Sequence, residues 1–484
     1  MRRAKIVCTI GPATAEPEQI RALIAAGMDV ARLNLSHGTR AGHEQVYRNV
    51  RAEADRAGRG VGVLVDLQGP KIRLGTFAEA QVLLPVGADF TITTRAVVGD
   101  ATTASTTYLG LPGDVRPGDT ILVSDGALRL QVREVRGSDV CTSVVVGGAV
   151  SSGKGINLPG VRVNVPALSD KDVADLRWAL HLRADLVALS FVRSPADVDD
   201  VREVMAQERE QVPVIAKIEK PQAIEQIEQI VTAFDGVMVA RGDLGVELPL
   251  EEVPLLQKRV IELARSAAKP VIVATQMLES MISAPRPTRA EASDVANAVL
   301  DGADAVMLSA ETSVGAYPSE AVQTMVRILA ATEGHWPHTT AIPWAPETRG
   351  GIITRAAADV AERIEAKYLV AFTQSGDSAR RLARYRSPVP ILAFTPDPSV
   401  RSQLALTWGV ETFLVPAVRH TDEMVLQVDR ALLEIGRCTV GDEVVIVAGS
   451  PPGIPGSTNA LRIHRLGDAV HEAAAAYRGP GPAG

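Results

Sequence analysis

In the segment AKIEKP, Lys217 and Glu219 stand two residues apart at the end of an apolar run. If that run is a β-strand, the two side chains point to the same side. The segment MVARGDLG brings Asp243 to the end of another such run, and VARLNLSHG brings Arg32. Two carboxylates with a lysine and an arginine suit either of two chemistries. They can act as general acid and base, as in glycoside hydrolysis, or the acids can hold a hard divalent cation. No histidine adjoins them, and Glu219 and Asp243 with open positions fit Mg²⁺, which takes its remaining oxygens from water and a phosphorylated substrate. The ARGD turn also offers backbone N–H groups to an anion. Phosphoryl chemistry leads, against the plainer reading of a salt-bridge cluster closing one end of the fold.

The stretch DLQGPKIR, residues 66–73, sets Asp66, Lys71 and Arg73 in one short turn after the apolar Val63, Leu64 and Val65. Gly69 and Pro70 reverse the chain there. Whether Lys71 is solvated surface or part of a site is open at this level. Residues 148–154, GAVSSGK, have the spacing of a nucleotide-binding P-loop, but Gly155 replaces the Ser or Thr and INLPG replaces the helix. A Walker fold is rejected. Lys154 remains a possible point charge for phosphate.

The elements that must position these residues repeat. Eight short runs rich in Val, Ile, Leu and Ala read as strands: 5–10, 30–36, 61–67, 186–192, 212–219, 236–240, 270–275 and 305–309. Helical periodicity fills the gaps between them, which predicts a (β/α)₈ TIM-type barrel. In such barrels chemistry gathers at the C-terminal strand ends. Residues 70–166 lose helical periodicity and read as an inserted all-β lid domain, so the barrel comprises 1–69 and 167–336. A C-terminal α/β domain is expected over 350–475, with strands in YLVAFT, VPILAFTP, VETFLVP and EVVIVAGS, before a frayed tail at 476–484.

The aromatic content is only 4% against 46% hydrophobic residues, so the core must rest on aliphatic side chains, as in parallel α/β folds. A net charge of −7 gives no general attraction to nucleic acid or anionic lipid. Neither nucleic acid nor membrane is expected as a partner. Cys8, Cys141 and Cys438 are scattered, without a CxxC pair, which argues against disulfides and a zinc site. The apolar run after MRRAK is cut short by Gly11 and Pro12, and no run reaches membrane-helix length. A cytoplasmic location is expected.

Seven motifs in order, KIVCTIGP, RLNLSHG, KGINLPG, AKIEKP, MVARGDLGVELP, ATQMLESM and PRPTRAEASDVANAVLDGADAVMLSAETSVGAYP, resemble the pyruvate kinases. The resemblance implies a barrel, a β lid and a C-terminal regulatory domain in a homotetramer, and phosphoryl transfer from phosphoenolpyruvate to ADP, giving pyruvate and ATP. It implies that Glu219 and Asp243 hold Mg²⁺ (or Mn²⁺), that Arg32 grips the substrate phosphate, and that Lys217 neutralises charge on the transferring group. Thr275 corresponds to a residue near the enolate carbon, as part of a proton relay. Backbone N–H groups at Gly242 and Asp243 would receive the substrate carboxylate. Asn34, His37, Arg73 and Lys154 match the nucleotide side. A Mg²⁺-dependent aldolase would need neither the NLSHG turn nor Lys154, and an inactive metabolite sensor would have lost acids or Lys217, so both rank below.

Two finer expectations follow from the resemblance. Many members hold K⁺ through residues matching Asn34, Ser36 and Asp66 and the Leu67 carbonyl, and carry Glu where this chain has Lys71. Lys71 is expected to supply that charge, so that K⁺ is not required. Family effectors bind at loops matching FTQSGDSAR and GSPPGIPGST, which makes Thr373, Ser375, Gly376 and Ser378 candidate effector ligands. The second loop has no basic residue and Asp377 adds negative charge, so a monophosphate, either a sugar phosphate or AMP, is expected.

Overall fold

A computed structural model describes residues 2–163, 165–335, 345–450, 452–454 and 456–468. The predicted tail and residues 469–475 of the C-terminal domain lie outside these, as do Pro451 and Pro455 of the second effector loop.

All eight predicted barrel strands form: β1 (Lys5–Thr9), β2 (Val30–Asn34), β3 (Gly62–Asp66), β4 (Leu186–Leu189), β5 (Val214–Ile218), β6 (Gly236–Ala240), β7 (Val271–Ala274) and β8 (Ala305–Leu308). Each pairs in parallel with its neighbours, and β1 pairs with β8 to close the barrel. Most strands end one to three residues before the predicted limits, because the polar residues there turn out of the sheet into the loops.

Period-two alternation sorts the side chains. Ala31, Leu33, Val63, Val65, Ala216 and Ile218 pack outward under the helices. Val30, Leu64, Ile215, Met238 and Ile272 fill the interior, and Ala405 and Leu406 from the C-terminal domain plug its lower end. The next inward position above Val30, Leu64 and Ile215 is charged: Arg32, Asp66 and Lys217. The barrel interior therefore passes from apolar to ionic within one residue pair along each strand.

The insert has its own apolar core, including Phe90, Ile92, Leu130 and Val140. It holds a six-stranded sheet and a separate antiparallel pair, Val82–Leu84 with Gly148–Val150. It is not wholly β, since Leu111–Asp114 form one helical turn. Asn157 near its end donates to Glu247 Oε1 of the barrel at 2.9 Å.

The C-terminal sheet contains the four predicted strands, β9 (Tyr368–Phe372), β10 (Ile391–Thr395), β11 (Val410–Leu414) and β12 (Glu443–Gly449). A fifth, β13 (Thr458–Arg465), pairs antiparallel with β12 at the sheet edge. Among the described residues no helix is long and apolar enough to cross a membrane.

Candidate active site

The C-terminal ends of the barrel strands and the underside of the insert enclose a cleft of about 470 Å³. Its lining includes Arg32, Asn34, Ser36 and His37 after β2, Lys71 and Arg73 after β3, Lys217 and Glu219 from β5, Asp243 after β6, and Lys154 from the insert. Residues read separately along the sequence are thus brought to one place.

At its floor runs a chain of buried ion pairs. The Arg32 guanidinium donates through Nε to Asp66 Oδ2 at 2.7 Å and through Nη1 to Thr9 Oγ1 at 2.9 Å. Lys217 Nζ lies 3.5 Å from Asp66 Oδ1 and 2.8 Å from Glu219 Oε1. It donates to Ser190 Oγ at 2.8 Å, and that hydroxyl donates onward to the Leu67 carbonyl at 2.8 Å. Asp66 and Glu219 are each 1% exposed.

Burial works against the charge on Lys217, but Asp66 and Glu219 beside it more than reverse that, and its pKa is raised. It remains an ammonium. Burial likewise opposes the charge on Asp66, yet Lys217 and Arg32 hold its carboxyl below the usual range. Burial pushes the Glu219 carboxyl up, and Asp243 adds to the rise.

Those last two carboxylates are the candidate metal ligands. Glu219 Oε1 is ion-paired with Lys217 Nζ at 2.8 Å and has no other polar partner among the described residues. The other oxygen, Oε2, accepts the Phe191 N–H at 2.9 Å. A buried carboxylate oxygen whose one partner is a lysine, beside a second acid, fits a hard divalent cation that takes its other ligands from water and substrate. Among the described residues there is no cluster of three or more His, Cys, Asp or Glu side chains of metal-binding form. Two protein carboxylates are what the chain offers.

Ser190, Phe191 and Thr9 were not singled out from sequence. Ser190 and Phe191 stand in SFVRS at the end of β4, where a serine or phenylalanine carries no signal by itself. Phe191 has φ +58°, outside the region non-glycine residues prefer, and this turns its N–H onto Glu219. Gly69, at φ +72°, makes the corresponding turn after β3; a Cβ there would lie 2.7 Å from the Phe191 ring.

The short helix Arg241–Glu247 begins directly after β6. In this structure the Gly242 N–H donates to Thr275 Oγ1 at 2.8 Å. The Thr275 hydroxyl in turn donates to the Ala274 carbonyl at 2.6 Å. Thr275 has φ +70°, a strained value for a β-branched residue, and it braces the Asp243 turn. Neither Thr275 nor Gly242 lines the cleft as it stands.

Lys71 faces the cleft. A Cβ on Gly155 of the insert would lie 3.0 Å from Lys71 Cε, so the lysine stem runs close against the insert backbone. Arg73 donates to the Gly153 carbonyl at 2.9 Å and ties the cleft rim to the insert. Of the oxygens expected around a monovalent cation, Asn34 Oδ1 accepts the Ser36 N–H at 3.2 Å, Asp66 is held by Arg32, and the Leu67 carbonyl accepts from Ser190.

Comparison with known proteins agrees with this geometry. Residues 1–322 match the profile of the pyruvate kinase barrel domain, and residues 352–464 that of the pyruvate kinase alpha/beta domain. The chain belongs to the pyruvate kinase family. It is 60% identical over 467 residues to the pyruvate kinase of Mycobacterium tuberculosis strain H37Rv, covering 96% of this chain and 99% of that one. It is 59% identical over 469 residues to the pyruvate kinase of Corynebacterium efficiens, covering 96% and 98%. A crystal structure of a pyruvate kinase from Cryptosporidium parvum superposes with a TM-score of 0.89 at 36% identity, covering 96% of each chain. With membership of this family comes an enzyme of the phosphotransferase class.

A second, narrow cleft, of about 20 Å³, lies in the C-terminal domain between the loop after β9 and the loop after β12. Thr373, Ser375 and Ser378 line it, and Gly376 caps the helix Asp377–Ala383 beside it. Thr373 Oγ1 accepts the Gly376 N–H at 3.0 Å, and the Ser378 hydroxyl is paired with Thr458 Oγ1 at 2.6 Å. No lysine or arginine is among the described lining residues, whereas Asp377 is.

Proposed function

We propose that the barrel cleft binds phosphoenolpyruvate and ADP and moves the phosphoryl group between them. The bond from the enol oxygen to phosphorus breaks, a bond from the ADP terminal phosphate oxygen forms, and the resulting enolate takes up one proton at carbon to give pyruvate. The observation that carries this is the ionic chain Arg32–Asp66–Lys217–Glu219, which holds a buried ammonium between two buried carboxylates at the mouth of the barrel.

Each residue has a part in that reading. Arg32, fixed by Asp66 and Thr9, grips the substrate phosphate. Lys217 offers positive charge to the transferring phosphoryl and the enolate oxygen, where charge develops. Glu219 and Asp243 hold the divalent cation, Mg²⁺ or Mn²⁺, which when bound neutralises phosphate charge. The backbone N–H groups of Asp243 and, once Thr275 releases it, of Gly242 receive the substrate carboxylate, while Thr275 belongs to the path by which the proton reaches carbon. Asn34, His37, Arg73 and Lys154 take the nucleotide. The insert, residues 70–166, closes over the barrel and keeps out water, which competes with ADP for the phosphoryl group.

Three further proposals complete the reading. Lys71 replaces the monovalent cation, since it faces the same cleft as Asn34 and Ser36. The cleft in the C-terminal domain, residues 350–475, takes a phosphorylated effector with one phosphate, a sugar monophosphate or AMP, in keeping with its lack of basic lining. The enzyme works in the cytoplasm as a homotetramer, without nucleic acid or membrane partners. A coupled assay for pyruvate with phosphoenolpyruvate and Mg²⁺, with and without ADP, tests the central reading. Pyruvate release that does not depend on ADP would overturn it.

A further inference from the structure

A buried carboxylate joins the insert to the barrel. Glu247 closes the short helix Arg241–Glu247, and its side chain is only 2% exposed. Its Oε1 accepts from Asn157 Nδ2 of the insert at 2.9 Å and from Lys220 Nζ of the barrel at 2.5 Å. Asn157 is itself fixed, since the strand Ile156–Asn157 pairs antiparallel with Thr120–Val123 inside the insert.

Each of the three segments that converge there carries a group of the cleft. Lys154 lies three residues before Asn157 in the chain, Asp243 one helical turn before Glu247, and Glu219 next to Lys220. Residues four apart on a helix share a face, so Asp243 and Glu247 move together. Lys220 Nζ also lies 5.5 Å from the centre of the Phe191 ring, and the Phe191 N–H donates to Glu219 Oε2. Arg193, the other cation beside them, is committed to the Val163 and Val165 carbonyls at 2.9 and 2.5 Å, which leaves Lys220 to hold Glu247. The gap that Phe191, Lys220 and Glu247 line measures about 30 Å³, room for about one water. It is a joint and not a binding site.

We propose that Glu247 is a positioning residue for phosphoryl transfer: its Oε1 is the common point that holds Lys154 of the insert in register with Glu219 and Asp243 of the barrel. The inference rests on the reading of the cleft given above. Asn157 brings a neutral donor, so the insert is tied down without added charge beside the metal ligands, while Lys220 balances the charge of Glu247. One oxygen with a donor from each side keeps both hydrogen bonds only while insert and barrel hold one relative placement. Without the Asn157 bond the insert is free to shift, and water enters beside the nucleotide.

The test uses the full chain. Asn157→Asp sets two carboxylates against each other, whereas Asn157→Asp combined with Glu247→Gln exchanges amide and carboxylate and so restores both the bond and the local charge. The single variant should raise KM for ADP by about tenfold, as for the loss of a hydrogen bond to a charged group, with kcat changed less. It should also release pyruvate without a matching amount of ATP. Amide hydrogen exchange at residues 154–157, followed without substrate or metal, should quicken. The double variant should recover all three. Asn157→Ala adds no charge, should show the same changes to a smaller degree, and serves in place of Asn157→Asp if that variant does not fold. A KM for ADP unchanged in both Asn157 variants overturns the proposal. So does a double variant no better than Asn157→Asp, or a fall in kcat with KM unmoved, which a merely structural bond would give. The exchange measurement needs no substrate, so its failure is distinct from a failure of the cleft reading, which the ADP requirement of the wild type tests.

Discussion

Replacing Lys217 by Met keeps most of the side-chain volume and removes the charge. In the wild-type protein the ammonium sits 2.8 Å from Glu219 Oε1 and 3.5 Å from Asp66 Oδ1, with its side chain 12% exposed. Two effects follow, and they can be separated. Loss of a preorganised donor to the developing charge costs about 3–4 kcal/mol in the transition state, or roughly a 10²- to 10³-fold drop in kcat. Breaking a buried ion pair costs stability, about 3–5 kcal/mol when the remaining charge has no other partner. That second cost should be smaller here, because Asp66 keeps Arg32 and the Glu219 carboxyl, already pushed up by burial, can take a proton. Pyruvate formation at saturating phosphoenolpyruvate, ADP and Mg²⁺ gives kcat, and thermal unfolding with and without Mg²⁺ reports the folded fraction. The expected result is a large fall in kcat with KM for phosphoenolpyruvate little changed, in a protein still folded at the assay temperature. A loss entirely in KM would show that Lys217 only binds substrate, and a loss matching the unfolded fraction would make it a structural lysine.

The remaining predictions concern other groups. Wild-type activity with Mg²⁺ should persist in K⁺-free buffer balanced with tetramethylammonium, and Lys71→Glu should create a K⁺ requirement; collapse of the wild type without K⁺, restored by adding it, refutes the role given to Lys71. The phosphoenolpyruvate saturation curve should shift left with glucose 6-phosphate or AMP, whereas a shift with fructose bisphosphate alone would remove the monophosphate reading. Burial raises the Asp185 carboxyl to about 6 even though Arg51 pairs with it at 2.7 Å. The folded state therefore holds that proton more tightly than the unfolded chain, whose carboxyl titrates near ~3.9, and the associated stability is lost as pH rises from about 4 to about 6. Relative to Asp185→Asn, wild-type stability should fall by up to about 3 kcal/mol across that interval, two pKa units at about 1.4 kcal/mol each; a difference in urea midpoint that stays flat with pH would refute it.

The barrel was legible because its strands are buried on both faces and so read as unbroken Val, Ile, Leu and Ala runs. Lys217 and Glu219 were legible for a related reason: period two places them on the inward row that Ile215 begins. The edge strand β13, TNALRIHR, was missed because half of it faces solvent and it offers no apolar run. Ser190 is a common residue type whose role exists only once β3, β4 and β5 bring Leu67, Ser190 and Lys217 together. The bond from the Gly242 N–H to Thr275, 33 residues on, is likewise invisible in sequence.

The charges of the barrel cleft also bear on Lys71. On the floor Arg32 and Lys217 oppose Asp66 and Glu219, so that tetrad is neutral, and Asp243 leaves one negative charge. A neutral floor keeps Lys217 charged without a field that would repel the anionic substrate. The other wall carries Lys71, Arg73 and Lys154, three positive charges, with Asp125 opposing. Phosphates of both substrates must pass between the two walls, and their own charge is met mainly from the insert side. A monovalent cation entering near Asp66 would find the carboxylate already bound by Arg32, and the Lys71 ammonium in the same cleft would repel it more strongly as closure lowers the local dielectric. That repulsion is the physical reason for tying the cation requirement to position 71 and not to Asn34, Ser36 or Asp66, which keep their oxygens.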